Sequence, residues 1–153
     1  MASNCSVESL TGDPVAQRLL TSTAPARLAY TWTDGTPRVV PIWFHWDGSA
    51  FVLGTPVRAP KLRVLADRPD VALTVDTNDF PYRVLSVRGR AEVQVLDDVI
   101  PEYVMAAERY LGVEQGRAWA AQLRGQPMGR IRITPHWVNI LDFETRLPSA
   151  LSA

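Results

Sequence analysis

The sequence predicts a mainly β protein of one domain, in which about six antiparallel strands form a closed or partly closed barrel with helices at its ends. Three observations indicate this fold. The 153 residues include 46% hydrophobic side chains, enough for one core. The pairs Asp34-Gly35 and Asp47-Gly48 are typical of tight β-hairpin turns. Apolar and polar residues alternate over 83–96, which predicts a long strand with one buried face.

The first half of the chain is predicted to contain a short helix followed by three strands. Asp13 is a suitable N-cap and Pro14 suits the first position of a helix over 13–22. Strands are predicted over 26–33, 38–46 and 50–55. The two Asp-Gly turns between these strands predict a β-meander.

The second half is predicted to contain a helix, two strands, two further helices and a last strand. Helices are predicted over 59–67, 101–111 and 114–123, and strands over 70–76, 83–96 and 130–142, the last kinked near Pro135. Asp97 and Asp98 are expected to cap a helix. The predicted organisation is therefore a disordered or loosely ordered N-terminus over 1–12, a single domain over 13–143 and a C-terminal tail over 144–153.

Charge and composition exclude several functions. Sixteen basic residues balance 16 acidic ones, so bulk attraction to nucleic acid or an anionic membrane surface is not expected. No apolar run reaches the length of a membrane span, and the first residues lack the features of a signal peptide, which favours a cytoplasmic protein. Cys5 is the single cysteine, so no internal disulfide is expected. His45 and His136 have no second ligand in view, and no metal site is predicted.

The stretch from Arg38 to Arg63 carries most of the functional signal. Pro41 lies inside a predicted strand and cannot donate to a ladder, so this strand has an open edge or a local break. Arg58 and Lys61 flank the start of a helix, where free N–H groups already favour an anion, and Thr55 adds a hydroxyl. This combination indicates a site for an anionic aromatic ligand.

A structural interpretation of the same residues stays open at this point. Basic side chains beside a helix start are often simply solvated, and Trp43 and Trp46 are typical of a core or an interface. Lys61 and Arg63 lie about 200° apart on a helical wheel, so the helix alone cannot direct both to one phosphate.

Four segments in order resemble the pyridoxamine-phosphate-oxidase-like superfamily. They are Arg38-Val39-Val40-Pro41-Ile42-Trp43, Phe51-Val52-Leu53-Gly54-Thr55, Arg58-Ala59-Pro60-Lys61-Leu62-Arg63 and Pro69-Asp70-Val71-Ala72-Leu73-Thr74. The similarity covers about residues 13–143. It implies a six-stranded antiparallel split β-barrel, the FMN-binding split barrel, with flanking α-helices.

The resemblance also implies a homodimer with two cofactor sites at the subunit interface. By motif match, Arg38, Lys61 and either Arg58 or Arg63 would hold the cofactor phosphate. Thr55 would add its hydroxyl, and the backbone of Val40, Pro41, Ile42 and Trp43 would line the flavin ring. Trp137 would reach the site from the other subunit.

The function that this resemblance implies is an oxidoreductase using F420 or FMN, with hydride transfer to a small planar or conjugated substrate. The Pro41-Ile42-Trp43 segment and the Arg-rich, Ala-rich composition are closer to the branch that uses the deazaflavin F420. The carboxylates of the F420 tail would favour further cations such as Arg58, Arg63 and Arg83. No catalytic residue is assigned, because in such enzymes the cofactor carries the difficult step.

Two alternatives remain open. One is an FMN-binding protein, oxidase or reductase, of the pyridoxamine-phosphate-oxidase-like type. The chain lacks the Arg/His-rich C-terminal segment of true pyridoxamine phosphate oxidases, so pyridoxal phosphate synthesis is not expected. The other is a non-enzymatic cofactor-binding or haem-binding module, for which His45 and His136 are the only candidate histidine ligands.

Overall fold

A computed structural model describes residues 5–151. Within these residues the chain forms five helices and seven strands. In chain order they are α1 (Ser9–Gly12), α2 (Pro14–Leu20), β1 (Ala26–Thr31), β2 (Pro37–Ile42), β3 (His45–Trp46), β4 (Phe51–Pro56), α3 (Pro60–Asp67), β5 (Asp70–Asp76), β6 (Arg83–Leu96), α4 (Pro101–Leu111), α5 (Val113–Gln122) and β7 (Met128–Asp142).

The strands form one antiparallel sheet in the order β2-β1-β5-β6-β7-β4-β3. Its two edge strands, β2 and β3, are separated in the chain by only Trp43 and Phe44. Because two residues span only a few ångströms, the sheet has to curl until its edges approach each other. The edges do not pair, so the barrel is split, as the sequence predicts.

The sheet has seven strands rather than the predicted six, because the predicted strand over 38–46 is two strands. Residues 37–42 pair with β1, whereas His45 and Trp46 pair with Val52 and Phe51 of β4. The chain changes neighbours at Phe44, whose side chain is fully buried. Burial of this ring in the core breaks the strand in two.

The core lies inside the curled sheet and is built mainly by the inward faces of the long strands β6 and β7. Leu85 and Val87 of β6 meet Ile131, Ile133 and Ile140 of β7, all at most 2% exposed. Each such side chain contributes roughly 1.5–3 kcal/mol when fully buried. The predicted kink near Pro135 is a shift in register between the two strands.

Helix α4 holds the link between the two sheet edges. The Arg109 guanidinium donates hydrogen bonds to the carbonyl oxygens of Ser22 (2.9 Å) and Phe44 (2.6 Å) and lies 4.7 Å from the Phe44 ring centroid. The Tyr110 hydroxyl donates to the Ala24 carbonyl at 3.0 Å, and its ring stacks on Trp43 at 4.9 Å. Carbonyls that the split sheet leaves without a ladder partner are thus satisfied by side chains.

The predicted cap by Asp13 is confirmed, since its Oδ1 accepts hydrogen bonds from the backbone N–H groups of Val15 and Ala16. Asp98 does not cap a helix, so that prediction is wrong. Its Oδ1 instead accepts hydrogen bonds from the backbone N–H groups of Val99 and Gly125. The second bond ties the loop before α4 to the loop after α5.

The N-terminal segment is more ordered than expected, where it is described. Ser9–Gly12 is a helical turn, and Leu10 is fully buried in the core, which anchors it. Residues 1–4 lie outside the described part. In the tail, Arg146 forms an ion pair with Asp13 at 2.8 Å.

Helices α4 and α5 form a hairpin around Gly112, whose φ is 88°. Gly116 of α5 packs directly on the backbone of Ala107 in α4. None of the helices within residues 5–151 has the length and apolar character needed to cross a membrane.

Replacing Gly116 by alanine tests this helix crossing. A Cβ at residue 116 would lie 2.5 Å from backbone atoms of Ala107 and Glu108, which cannot move cheaply. Alanine normally stabilises a helix relative to glycine by about 1 kcal/mol, but here we expect the free energy of unfolding to fall by about 1–3 kcal/mol. Urea unfolding measures this, with the exposed Gln115→Ala as the matched control. A Gly116→Ala variant as stable as the parent would contradict the close crossing.

The pH dependence of folding stability tests the partly buried environment of His45. Partial burial, and next the Arg109 charge, lower the pKa of His45 below its usual 6.5. The unfolded chain therefore binds more protons as the pH falls, so the folded state loses stability from about pH 7.5 to about pH 5.5. We expect His45→Gln to reduce this loss, measured by urea unfolding at both pH values. The exposed His136→Gln is the control, and an unchanged slope in His45→Gln would refute the prediction.

Candidate functional site

The split in the barrel contains a cleft of about 530 Å³, within the range of about 300–1,000 Å³ that small-molecule sites occupy. Strand β4 pairs with β7 along its length but with β3 only at Phe51 and Val52, so the edge of residues 53–56 faces the split. The end of β2 forms the opposite side. The residues lining the cleft are Pro25, Pro41, Ile42, Trp43, Gly54, Thr55, Pro56, Lys61, Tyr103 and Trp119.

One end of the cleft is polar and cationic. Thr55 is only 3% exposed, and no described residue forms a hydrogen bond with its hydroxyl. The Lys61 side chain lies in the first turn of α3, whose N-cap Ala59 provides no side-chain cap. No described carboxylate forms an ion pair with Lys61, and burial lowers the pKa of its ammonium group. An unpaired, half-buried ammonium beside a helix start is suited to an anionic ligand.

Another part of the cleft lining is aromatic. The Trp43 ring stacks on Tyr110 with an interplanar angle of 8° and lies 5.9 Å from the Tyr103 ring. The Trp119 Nε1–H group donates a hydrogen bond of 2.9 Å to the Tyr103 hydroxyl oxygen. Flat apolar surfaces therefore adjoin the cationic end, an arrangement that matches a ligand with a planar ring and an anionic group.

The fold brings five of the residues proposed from sequence together at this cleft: Pro41, Ile42, Trp43, Thr55 and Lys61. Val40 does not line it, and its side chain packs against the core. Because the structure describes the protein alone, these positions show proximity, and their role in binding a cofactor stays a prediction.

The arginines proposed for the cofactor phosphate or for the F420 tail lie elsewhere in the described chain. Arg58 and Arg63 line a neighbouring hollow of about 310 Å³ that shares the loop before α3 with the cleft. The Arg38 guanidinium lies over the Trp32 ring, 4.7 Å from its centroid. Arg83 is engaged by Asp142 and Glu144. Lys61 is thus the one proposed cation that lines the cleft itself.

Trp137 lies on the outer face of the sheet, 4.2 Å from the guanidinium of Arg88, and does not line the cleft of its own chain. Neither histidine lines the cleft. His45 lines a hollow with Met105 and Arg109, and His136 lines another beside Tyr30.

Sequence reasoning missed five lining residues: Pro25, Gly54, Pro56, Tyr103 and Trp119. Gly54 did carry a signal, because a glycine inside a strand often marks a close approach. A Cβ there would lie 2.7 Å from Tyr103 Cδ2 and 2.9 Å from the Met128 sulfur. Tyr103 and Trp119 carried none, since a helical aromatic residue is as typical of a core as of a binding site.

Several solved structures are similar to this chain. Among solved structures, an F420 reductase is 29% identical over 80% of this chain and 94% of its own, with a TM-score of 0.62. A conserved hypothetical protein from Mycobacterium tuberculosis (23% identical, TM-score 0.70) covers 97% of this chain and 92% of its own. HutZ, the heme storage protein from Vibrio cholerae (14% identical, TM-score 0.59), covers 85% and 93%. The last two similarities establish the fold alone.

A comparison with curated proteins gave no match. The family model for pyridoxamine 5'-phosphate oxidase matches residues 13–142, which is most of the chain and contains every strand of the sheet. The chain therefore belongs to the pyridoxamine 5'-phosphate oxidase family.

Proposed function

We propose that this protein is an F420-dependent oxidoreductase that transfers a hydride to a small planar or conjugated substrate, with FMN as the alternative cofactor. The observation that carries the proposal is the cleft in the split of the barrel, where an unpaired Lys61 and the Thr55 hydroxyl adjoin an aromatic wall. Membership of the family supports a flavin-type cofactor, and the 29% identical F420 reductase favours F420.

The residues of the cleft fit such a cofactor. A phosphate beside Lys61 would supply the negative charge that the ammonium lacks, and it would accept a hydrogen bond from the Thr55 hydroxyl. The edge of β4 over residues 53–56, which β3 does not cover, leaves backbone groups facing the split, where they can bind the polar rim of a planar ring. The hollow with Arg58 and Arg63 lies beside this site and would suit the carboxylates of an F420 tail.

The role of the protein in the reaction is to bind, orient and exclude water. Lys61 and Thr55 hold the anionic end, and the ring of Trp43, fixed by stacking on Tyr110, limits the position of a planar group. The reduced cofactor, when bound, supplies the hydride. Orientation contributes to the rate because a substrate carbon must lie close to the donor in the bound state.

A homodimer fits this proposal. The outer face of the sheet carries one row formed by Val39, Ala29, Ala72 and Arg88, with no carboxylate in it, and Val39 is 66% exposed. A row of small and apolar side chains that ends in an arginine is suited to pack on a second copy. Pro41, on the same side of β2 as Val39, also lines the cleft, so a partner on this face would complete the site. Trp137, the next residue of that row, is the side chain that a partner would contribute.

Haem binding is the competing function within this fold, and HutZ is a structural relative of that kind. Within one chain neither His45 nor His136 lines the cleft, so an axial histidine is not offered by the cleft's own subunit. Titration of purified protein with F420, FMN and haemin separates the proposals. Micromolar or tighter F420 binding, with FMN much weaker, supports the deazaflavin enzyme. Preferential FMN binding moves the protein to the FMN-dependent branch, and a Soret shift with haemin alone would refute both.

Replacing Lys61 by methionine tests the phosphate site. We expect affinity for F420 and FMN to fall at least about tenfold, since a lost hydrogen bond to a charged group costs about 1.5–3 kcal/mol. The free protein should be at least as stable as before, because its fold disfavours the charged form of Lys61. Fluorescence titration and thermal unfolding measure the two effects. The exposed Arg90→Met is matched for charge, and equal weakening in that variant would contradict a specific phosphate site.

The single lysine offers a second readout that needs no activity. Acetylation of Lys61 by an amine reagent, followed by mass spectrometry, is expected to slow when cofactor is bound. Unchanged labelling at saturating cofactor would place the ligand elsewhere.

Replacing Ala29 by glutamate tests the homodimer. This residue is on the outward side of β1, between Val39 and Ala72, so a carboxylate there leaves the core intact but would be buried without a partner in a dimer. We expect sedimentation equilibrium to show a dimer for the parent and a folded monomer for Ala29→Glu. Gln94→Glu, an exposed change on β6, should remain dimeric. A monomeric parent, or a dimer that Ala29→Glu does not weaken, would refute this interface.

A further inference from the structure

Tyr103 and Trp119 reach the cleft from the α4–α5 hairpin, and we propose that they form a substrate-selecting wall for an uncharged, planar, conjugated carbonyl compound. This inference rests on the proposed function, because it assigns the substrate side of the same cleft. Four features of the described residues support it: the fixed position of Tyr103, the free hydroxyl proton of that residue, the exposed ring of Trp119 and the charge of the cleft.

The position of the Tyr103 side chain, on α4, is fixed by close packing against Gly54 of β4. Its ring lies against Gly54 of β4 so closely that a Cβ there would be 2.7 Å from Cδ2 and 3.2 Å from the Tyr103 Cβ. The ring also contacts Trp43, with 5.9 Å between centroids. A side chain packed on two sides and bonded at its tip has little rotational freedom left. It can therefore present its hydroxyl in a constant direction.

The hydroxyl of Tyr103 is a hydrogen-bond donor without a partner among the described residues. Its oxygen accepts the Nε1–H of Trp119 at 2.9 Å, which uses one acceptor site and leaves the phenolic proton unengaged. No described residue accepts that proton, and the residue lines the cleft. A carbonyl oxygen of a bound molecule is the complementary group.

The Trp119 ring is an apolar surface at the mouth of the cleft. The residue is 41% exposed, yet the one polar atom of its side chain is already bonded to Tyr103. What remains for a ligand is the flat face and edge of the indole, which suit a planar molecule. Helix α5, which carries this ring, is held against α4 by the close contact at Gly116.

The charge of the residues that line the cleft favours an uncharged substrate. Lys61 is the only charged residue among those that line it, and it is assigned to the anionic end of the cofactor. The remaining lining is aromatic, aliphatic and proline, with no carboxylate for a cation and no second cation for an anion. Charged substrates would lose hydration there without compensation, so an uncharged molecule is favoured.

The test compares two quinones of the same shape. Dimethyl naphthoquinone is uncharged, planar and blocked against thiol addition, and hydroxy-methyl naphthoquinone replaces one methyl by a hydroxyl that is ionised at neutral pH. Equilibrium dialysis measures their binding to the protein, with and without saturating F420 or FMN. Reduction assays with reduced cofactor then give kcat and KM. We expect the uncharged quinone to bind at least about tenfold more tightly than the anion.

Three variants identify the wall. Trp119→Ala should weaken the uncharged quinone at least about tenfold, because a large apolar contact is removed. Trp119→Phe keeps an aromatic ring but removes the N–H donor, and Tyr103→Phe removes the hydroxyl proton. Each of these two changes should weaken binding of the uncharged quinone about threefold to tenfold. In all three, affinity for the uncharged quinone should fall by a larger factor than affinity for the cofactor, a separation that a merely structural role would not produce. Val113→Ala, an exposed change on the same helix, is the control.

Failure of the inference is distinguishable from failure of the proposed function. If the parent binds cofactor but Trp119→Ala binds the quinone as tightly as the parent does, the proposed substrate wall is refuted. The proposal of an F420-dependent enzyme then remains intact. If the parent binds no cofactor, the enzyme proposal is refuted. Dialysis without cofactor would then still show whether Tyr103 and Trp119 bind the quinone. Tighter binding of the anionic quinone would overturn the assigned substrate class.

Discussion

The structure depends on the two-residue link, Trp43 and Phe44, that joins the edge strands of one sheet. So short a link forces the sheet to curl, yet the change of partner at Phe44 prevents the edges from pairing. Phe44 fixes the link from inside by full burial, and Trp43 fixes it from outside by stacking on Tyr110. Arg109 completes the arrangement by satisfying the Phe44 carbonyl, which no strand neighbour reaches.

The candidate site is a direct consequence of that incomplete closure. A split barrel leaves two sheet edges facing each other across a cleft, and the end of β4 and the start of α3 place Thr55 and Lys61 on its rim. The Thr55 hydroxyl has no partner among the described residues, and a half-buried ammonium without a counter-ion is unfavourable in the free protein. Their persistence in the fold is understandable if a bound anion offsets the cost, which is the physical basis of the proposed cofactor site.

The aromatic side of the cleft depends on contacts that only glycine permits. Gly54 lets the Tyr103 ring lie on a strand, and Gly116 lets α5 approach α4 closely enough to hold Trp119 at the mouth. The contact between Gly54 and Tyr103 joins segments about fifty residues apart and connects the helical hairpin to the sheet, whereas the contact at Gly116 lies within the hairpin. Substrate selection and cofactor binding would thus be supported by different elements around one cleft.

The sequence by itself determined the elements whose signals are local. Alternation over 83–96, the two Asp-Gly turns and the Asp13-Pro14 helix start depend on neighbouring residues, so β6, the hairpins and the cap were predictable. The grouping of Pro41, Ile42, Trp43, Thr55 and Lys61 was also expected, through motif order and a helix start. Burial of Phe44, which divides one predicted strand into two, depends on long-range packing and was not predictable.

Only the tertiary structure decided which side chains share the cleft. Arg58 and Arg63 are within a few residues of Lys61, but the direction of each side chain from the helix start places them in a separate hollow. Tyr103 and Trp119 join the site because the α4–α5 hairpin folds back over β4, a distance in sequence that no local pattern encodes. Local propensities act between near neighbours in the chain, whereas a binding site is defined by which distant surfaces pack together.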